Sequence, residues 1–117
     1  MPKRYVPERG DLVRLSFDPR AGHEQKGHRP ALVISPRAYN GRVGLAVFCP
    51  ITSSVKGYPF EVVLPDSLPV KGAILSDQAK SLDWRVRSAQ LIGKLPAHLL
   101  EEAIAKIMAL LDPNVDR

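Results

Sequence analysis

Proline and glycine interrupt this chain at short intervals, and this punctuation constrains its fold more than any other feature. The 117 residues include eleven prolines and eight glycines. Proline interrupts helices and central strands, and glycine favours turns. The pattern therefore favours a mainly β fold of short strands, a small barrel, over a helix bundle. The length of the chain predicts one domain over residues 1–117.

The apolar segments between these breaks are predicted to be strands. Over residues 11–17 the side chains alternate with a period of two, as expected for a strand with one buried face. A polar loop, long enough to suggest a function, is predicted for residues 18–28. The other predicted strands are residues 30–34, 42–51, 58–64, 72–75 and 85–94.

The end of the chain changes to a helical pattern. Apolar residues recur at intervals of one, three and four over Ala97–Leu111, which predicts an amphipathic helix. Glu102 and Lys106 are spaced as an i, i+4 ion pair on its polar face. The apolar stripe favours packing on the core, and contact with a partner is the alternative.

Charge and cysteine usage limit the classes of function. The chain has 17 Lys and Arg against 12 Asp and Glu, a net charge of +5 that suits a polyanionic partner such as nucleic acid. Cys49 is the single cysteine, and its apolar neighbours favour a buried thiol over a reactive one. Neither zinc-ligand spacing, nor a signal peptide, nor a membrane span is recognisable. We therefore expect a cytoplasmic protein without metal or cofactor.

Two polar clusters flank the first predicted strands. Residues 22–30 combine an acid, cations and imidazoles between glycines that allow motion, and Arg29 precedes a proline, so it should be extended at a strand entrance. This cluster could bind a ligand or be an ordinary solvated loop. Residues 50–54 place three hydroxyls after an apolar strand, where they could bind phosphate or cap a turn.

A third cluster, residues 77–87, mixes amide, acid, base and aromatic side chains. Asp77 and Gln78 could pair with base edges. The side chains that could bind phosphate are Lys80, Arg85 and Arg87. These arginines could instead alternate outward along a strand. Trp84 could stack on a base, although we favour a core position for so large an aromatic side chain.

Read together, these clusters resemble the MazF/PemK toxins of toxin–antitoxin pairs. The main matching motifs are RYVP (residues 4–7), GDLV (10–13), FDP (17–19), GHRPA (27–31) and KGYPFEVVL (56–64). Further matches lie at residues 22, 24–25, 35–36, 39–40, 50, 52, 77–78, 80–81 and 84–85. The resemblance covers nearly the whole chain, although residues 65–71 and the tail after Leu111 are less similar.

The resemblance implies a mainly β, SH3-like barrel of the CcdB/PemK type with a C-terminal α-helix, assembled as a homodimer. It implies a toxin that cleaves single-stranded RNA, above all mRNA, at short specific sequences and so inhibits translation. It also implies a MazE-like antitoxin whose acidic C-terminal segment covers the RNA site. Neither a metal nor a cofactor is expected, because RNA carries its own nucleophile, the 2′-hydroxyl, and attack by it leaves 2′,3′-cyclic phosphate and 5′-hydroxyl ends.

The family's catalytic positions fall on Arg29, Thr52 and Glu24. In our hypothesis Arg29 stabilises the phosphorane and Thr52 holds the phosphate. Glu24 accepts the 2′-proton or orients Arg29, with His28 as the alternative base. The residues expected to bind RNA are Gln25, Lys26, His28, Ser53, Lys56, Asp77, Gln78, Lys80, Ser81, Arg85 and Arg87.

Two other functions stay open at this stage. A CcdB-like toxin of the same fold would poison DNA gyrase through its C-terminal helix and would need neither Arg29 nor Thr52. A barrel that only binds RNA, or has a structural role, is the third interpretation.

Overall fold

The computed structural model describes residues 4–17 and 27–114. Its elements are β1 (Asp11–Ser16), β2 (His28–Val33), α1 (Arg37–Val43), β3 (Leu45–Thr52), β4 (Glu61–Val63), β5 (Ala73–Leu75), a short 3-10 turn (Ser76–Gln78), β6 (Lys80–Asp83), β7 (Gln90–Lys94) and α2 (Ala97–Leu111). The predicted mainly β fold with a C-terminal helix is confirmed. No helix within residues 4–17 and 27–114 has both the length and the apolar character needed to cross a membrane.

The strands pair antiparallel in one sheet with the order β4-β5-β3-β2-β1-β7, and β6 also pairs with β3. β3 is the central strand, because β2, β5 and β6 all pair with it. Within the described part of the chain, no pairing joins β4 to β7, so hydrogen bonds do not close the sheet. The predicted barrel is therefore correct only in a loose sense.

Two apolar clusters lie on opposite faces of the sheet. Alternation along β1 sends Leu12 into the first cluster, and Val13 and Leu15 into the second. Because both faces are covered, all but one of the β1 side chains are buried. The prediction that only one face of this strand is buried was therefore wrong.

Helix α2 packs on the first cluster and has the predicted bounds. Leu99 and Ala103 are buried in that cluster, which confirms a core role for the first half of the helix. Met108 and Leu111 belong to the same apolar stripe but are 60% and 72% exposed, so the last turns extend beyond the core. The predicted ion pair is present, with Lys106 Nζ 3.4 Å from Glu102 Oε2.

The segment Arg37–Val43 forms helix α1, where the sequence pattern predicted that a strand began at residue 42. The helix has only seven residues and depends on contacts with the rest of the fold. The buried Asn40 side chain donates a hydrogen bond to the Pro7 carbonyl at 2.8 Å. The Asn40 carbonyl accepts one from the Trp84 indole at 3.0 Å. These distant partners are not visible in local sequence.

Other predicted strands have different bounds in the structure. The strand predicted for residues 85–94 begins only at Gln90, because the chain turns over residues 84–88 and Ser88 has a φ of 54°. The strand predicted for residues 58–64 is limited to β4, since residues 59–60 form a turn. His28 belongs to β2 rather than to the preceding loop. β6 was not predicted as a strand, because it is short and half polar.

Candidate functional site

The strand register brings Arg29 and Thr52 to the same place in the sheet. β2 and β3 pair Ala31 with Pro50 and Leu32 with Cys49. The same register, continued by two residues, places Arg29 opposite Thr52. Directly opposed residues in antiparallel strands have Cα atoms about 5 Å apart and side chains on the same face. The recorded pairs end at Ala31 and Pro50, and Arg29 and Thr52 lie two residues beyond them, on the same face of the neighbouring strands.

Arg29 and Thr52 lie beside the second apolar cluster. Arg29 follows the same alternation as Ala31, and Thr52 follows that of Phe48, and both of these apolar side chains are fully buried in the second cluster. Arg29 is exposed and Thr52 is half-buried. The core thus ends where the polar site begins, and the guanidinium is accessible to a ligand.

Thr52 ends β3 in a tightly packed stretch of backbone. Its Oγ1 accepts a hydrogen bond from the Ser54 N–H at 3.0 Å, so the predicted turn-capping role is present. Thr52 also pairs with Ala73 of β5. The preceding Gly72 has a φ of 116°, and a Cβ there would lie 1.9 Å from the Thr52 carbonyl oxygen. Only glycine allows this approach, so Gly72 fixes the position of Thr52.

Of the predicted loop, His28 lies within the described residues. Glu24, Gln25 and Lys26 lie outside the described residues. His28 is half-buried at the start of β2 and pairs with Ser16 of β1. It therefore lies next to Arg29 in the chain, on the opposite face of the strand.

Residues 53–60 form an exposed segment between Thr52 and β4, named here the 53–60 loop. It carries two residues predicted to bind RNA, Ser53 and Lys56, and both side chains are exposed. The buried carboxylate of Glu61 accepts hydrogen bonds from the N–H groups of Lys56 and Gly57. The loop is thus hydrogen-bonded to the strand that follows it.

The predicted RNA-binding residues 77–81 lie beside β3. Asp77 and Gln78 are exposed in the 3-10 turn, where Asp77 Oδ2 accepts a hydrogen bond from the Tyr58 hydroxyl at 2.6 Å. This bond also raises the pKa of Tyr58. Lys80 is opposite Phe48, which follows the same alternation as Thr52. The exposed Lys80 side chain is therefore on the same face of the sheet as Thr52. Ser81 is exposed on the opposite face, across from Val47.

The last part of the third cluster has structural contacts. Trp84 is buried in the second cluster, which confirms the preferred core position. The Arg85 guanidinium lies 5.0 Å from the centre of the Trp84 ring, a cation–π contact. Arg87 Nη1 donates a hydrogen bond to the Ser16 carbonyl at 3.0 Å. The alternative of a strand with outward-pointing arginines was wrong, since these residues form a turn.

The last two features of the site region are the Cys49 thiol and the grouping of side chains that could bind a metal ion. Burial, and to a smaller extent the charge of Asp77, raises the pKa of the Cys49 thiol to about 12, and the predicted buried thiol is confirmed. Over residues 4–17 and 27–114, no three His, Cys, Asp or Glu side chains are grouped so that they could hold a metal ion.

Comparison with known proteins decides the family. A family model described as "PemK-like, MazF-like toxin of type II toxin-antitoxin system" matches residues 8–111. The chain belongs to the PemK/MazF toxin family. As a member of this family, it is 47% identical over 111 residues to the endoribonuclease toxin MazF of Escherichia coli strain K12, a match that covers 95% of this chain and 99% of the relative.

Solved structures of PemK/MazF toxins have the same fold. The crystal structure of MazF from Deinococcus radiodurans superposes with a TM-score of 0.84 and 56% sequence identity, covering 92% of this chain and 98% of that chain. A chain of a MazE–MazF crystal structure from the same organism also gives a TM-score of 0.84, with 53% identity and coverage of 92% and 97%. The family resemblance inferred from the sequence motifs is thus confirmed.

Three residues that support the site of this PemK/MazF toxin were not predicted from the sequence. Gly72 allows close approach to Thr52, Glu61 organises the 53–60 loop, and Lys106 of α2 donates hydrogen bonds to the same loop. Glu61 had a recognisable signal, since an acid inside an apolar segment must find hydrogen-bond donors when buried. Gly72 and Lys106 had none, because their partners are distant in sequence.

Proposed function

We propose that this chain is the toxin of a type II toxin–antitoxin system and acts as a sequence-specific endoribonuclease on single-stranded RNA, without a metal ion. The observation that carries the proposal is the register of β2 on β3, which, continued beyond Ala31 and Pro50, brings Arg29 and Thr52 together beside exposed polar side chains. The similarity to endoribonuclease toxins over 95% of the chain supports the same reaction class. The net charge of +5 suits a polyanionic substrate.

The chemistry follows from the two opposed side chains. The 2′-hydroxyl of RNA attacks the adjacent phosphorus, the bond to the 5′-oxygen breaks, and the products carry a 2′,3′-cyclic phosphate and a 5′-hydroxyl. Arg29 stabilises the negative charge that develops on the phosphate oxygens, because a guanidinium stays protonated and donates several hydrogen bonds. Thr52 donates its hydroxyl hydrogen to the phosphate and holds it for in-line attack.

Proton transfer requires a further group. A guanidinium resists deprotonation, so Arg29 is a poor general base. We assign removal of the 2′-proton to Glu24. His28, the alternative base expected from the sequence, is less favoured because it lies on the opposite face of β2 from Arg29. The RNA strand is held by the residues predicted from the sequence, of which Ser53, Lys56, Gln78 and Lys80 are exposed near the ends of β3 and β6.

The partners follow from the same function. We propose that the toxin is a cytoplasmic homodimer and that a MazE-like antitoxin inhibits it by laying an acidic C-terminal segment over the basic RNA site. The MazE–MazF crystal structure from Deinococcus radiodurans supports a partner of this kind. A CcdB-like gyrase poison is the less favoured alternative, because the similarity is to endoribonuclease toxins.

The test is cleavage of a long, mixed-sequence single-stranded RNA by purified protein in EDTA, followed by mapping of the new ends. We expect cuts at one short sequence with 5′-hydroxyl ends. Arg29→Ala should abolish the cuts, whereas Arg42→Ala, which removes an exposed arginine of α1, should not. If Arg29→Ala cuts normally, or if growth arrest survives that substitution and RNA stays intact, the proposal is wrong and gyrase inhibition should be assayed.

A further inference from the structure

The 53–60 loop is held by a buried carboxylate at its C-terminal end. Glu61 is only 6% exposed. Its Oε1 accepts a hydrogen bond from the Gly57 N–H at 2.7 Å, and the Lys56 N–H lies 3.2 Å from Oε1 and 3.1 Å from Oε2. Hydrogen bonds from backbone N–H groups to a carboxylate are among the stronger ones in proteins. The backbone at Lys56 is therefore fixed relative to β4.

Helix α2 holds the same loop from a second direction. Lys106 Nζ donates hydrogen bonds to the carbonyl oxygens of Pro59 at 2.6 Å and of Glu61 at 3.2 Å. Since Leu99 and Ala103 bury α2 in the first cluster, the helix is a rigid support. The hydrogen bond from Tyr58 to Asp77 adds a third attachment, to the 3-10 turn.

These attachments do not serve the core. Seven of the eight residues of the loop are exposed, and only Phe60 is half-buried. An exposed loop of this length would otherwise sample many conformations, and ordering it on binding costs free energy. A rigid loop directly after Thr52 instead presents its exposed side chains, including the Lys56 ammonium, to RNA in one arrangement. The contacts thus suit pre-organisation of a binding surface.

We propose that Glu61 and Lys106 are positioning residues of the ribonuclease, which act through the 53–60 loop and hold Lys56 against a phosphate of the bound RNA. The inference rests on the proposed function, since it names how that site binds its substrate. Neither side chain touches the reacting atoms. Their loss weakens RNA binding and leaves the chemical step at Arg29 and Thr52 intact.

The test compares Glu61→Gln and Lys106→Met with the unmodified full-length protein on an oligonucleotide that contains the mapped cleavage sequence. Gln keeps the size of Glu61 but replaces one of the two acceptor oxygens with an amide NH₂, which cannot accept a hydrogen bond from the loop N–H groups. Met keeps the length of Lys106 without donors. We expect KM to rise about tenfold, equivalent to about 1.4 kcal/mol, with kcat retained. Losing one phosphate contact should make the slope of log(kcat/KM) against log salt shallower by about 0.7.

Two controls separate positioning from fold stability. Glu102→Gln removes the ion pair of Lys106 within α2 and leaves its bonds to the loop, so KM should not change. Lys106→Arg keeps donors and should restore most of the affinity. In a double-mutant cycle, Lys56→Ala combined with Lys106→Met should weaken binding no more than Lys56→Ala alone, because the loop then holds nothing against the phosphate.

The outcomes distinguish this inference from the proposed function. If the unmodified protein cuts no RNA, the proposed function fails. If it cuts RNA while both variants keep the original KM and salt slope, with only a lower melting temperature, the positioning role is refuted. Should Glu61→Gln fail to fold, Lys106→Met decides alone, because the Lys106 side chain is half-buried, with 27% of it exposed, and Glu61 is buried.

Discussion

Replacing Gly72 with alanine should damage both stability and catalysis, because this glycine lies against the backbone of Thr52. The new Cβ would lie 1.9 Å from the Thr52 carbonyl oxygen and 2.8 Å from its carbonyl carbon. Both are backbone atoms and cannot rotate away, so β5 must move from β3. The φ of 116° adds strain, since residues other than glycine rarely adopt it.

The loss in free energy of unfolding has two parts, backbone strain and steric clash, and a matched control separates them. Strain at a φ of this kind costs about 1–3 kcal/mol. Gly44→Ala, at φ 85° with no atom within 4 Å of the new Cβ, measures strain of this sort without a clash. We expect Gly72→Ala to cost at least about 2 kcal/mol more than Gly44→Ala, as other badly overpacked substitutions do. At about 4 °C per kcal/mol, the melting temperatures should differ by roughly 8 °C.

The assay is thermal unfolding at one fixed protein concentration, because the melting temperature of the proposed dimer would depend on concentration, together with RNA cleavage at 25 °C. Gly72→Ala should also lower kcat, since it displaces Thr52, whereas Gly44→Ala should not. Equal melting temperatures and equal kcat for the two variants would refute the claim that Gly72 fixes the position of Thr52.

Three further predictions follow from buried groups. Cys49 should resist alkylation at pH 8 in the folded protein and react after denaturation, because burial raises the pKa of its thiol to about 12; rapid labelling without denaturant would contradict this. Burial and the hydrogen bond to Asp11 raise the pKa of Tyr5, and the same carboxylate raises the pKa of Lys94, from ordinary values of 10.0 and 10.5. Because both pKa values are raised in the folded protein, the two groups stabilise the fold below pH 10, and this contribution is lost as the pH rises further. The urea midpoint should therefore fall above pH 10. It should fall less in Tyr5→Phe, which lacks one of the two titrating groups. Trp84→Phe should cost roughly 1–3 kcal/mol, because it leaves the buried Asn40 carbonyl without its indole donor at 3.0 Å; urea unfolding followed by circular dichroism measures this, and an unchanged midpoint would contradict it.

The sequence predicted best those elements whose pattern is long and local. Helix α2 has the predicted bounds, since fifteen residues of helical periodicity follow Pro96 and end before Pro113. Helix α1 was missed because its seven residues depend on hydrogen bonds from Asn40 to distant partners. β6 was missed because a four-residue strand on the edge of β3 has no distinct pattern. Local sequence does not contain these tertiary contacts.

The candidate site divides in the same way. Motif resemblance selected Arg29 and Thr52, and the register of β2 on β3, continued beyond Ala31 and Pro50, brings them to the same face of the two strands. That register is set by the core, because Leu32 and Cys49 must both enter the first cluster. A slip of one residue would send Arg29 and Thr52 to opposite faces and expose the apolar side chains. The packing of the core therefore determines the geometry of the site.

This dependence on register can be tested with a disulfide. If the register continues beyond Ala31 and Pro50, the Cα atoms of Arg29 and Thr52 lie about 5 Å apart, within the range that a disulfide bridges. Arg29→Cys combined with Thr52→Cys should therefore oxidise within one chain to a disulfide, with a mass loss of two hydrogens and no free thiol other than buried Cys49. The protein should also be non-toxic, since both proposed catalytic groups are gone.

The matched control is Arg29→Cys combined with Ser53→Cys. Ser53 follows Thr52 but lies one position out of register, so its side chain leaves β3 in another direction. This pair should stay reduced under conditions in which the first pair is fully oxidised. Oxidation of the control pair, or free thiols in the Arg29 and Thr52 pair, would show that the strands are not aligned as the register indicates. In that case the strand register on which the proposed site rests would be wrong.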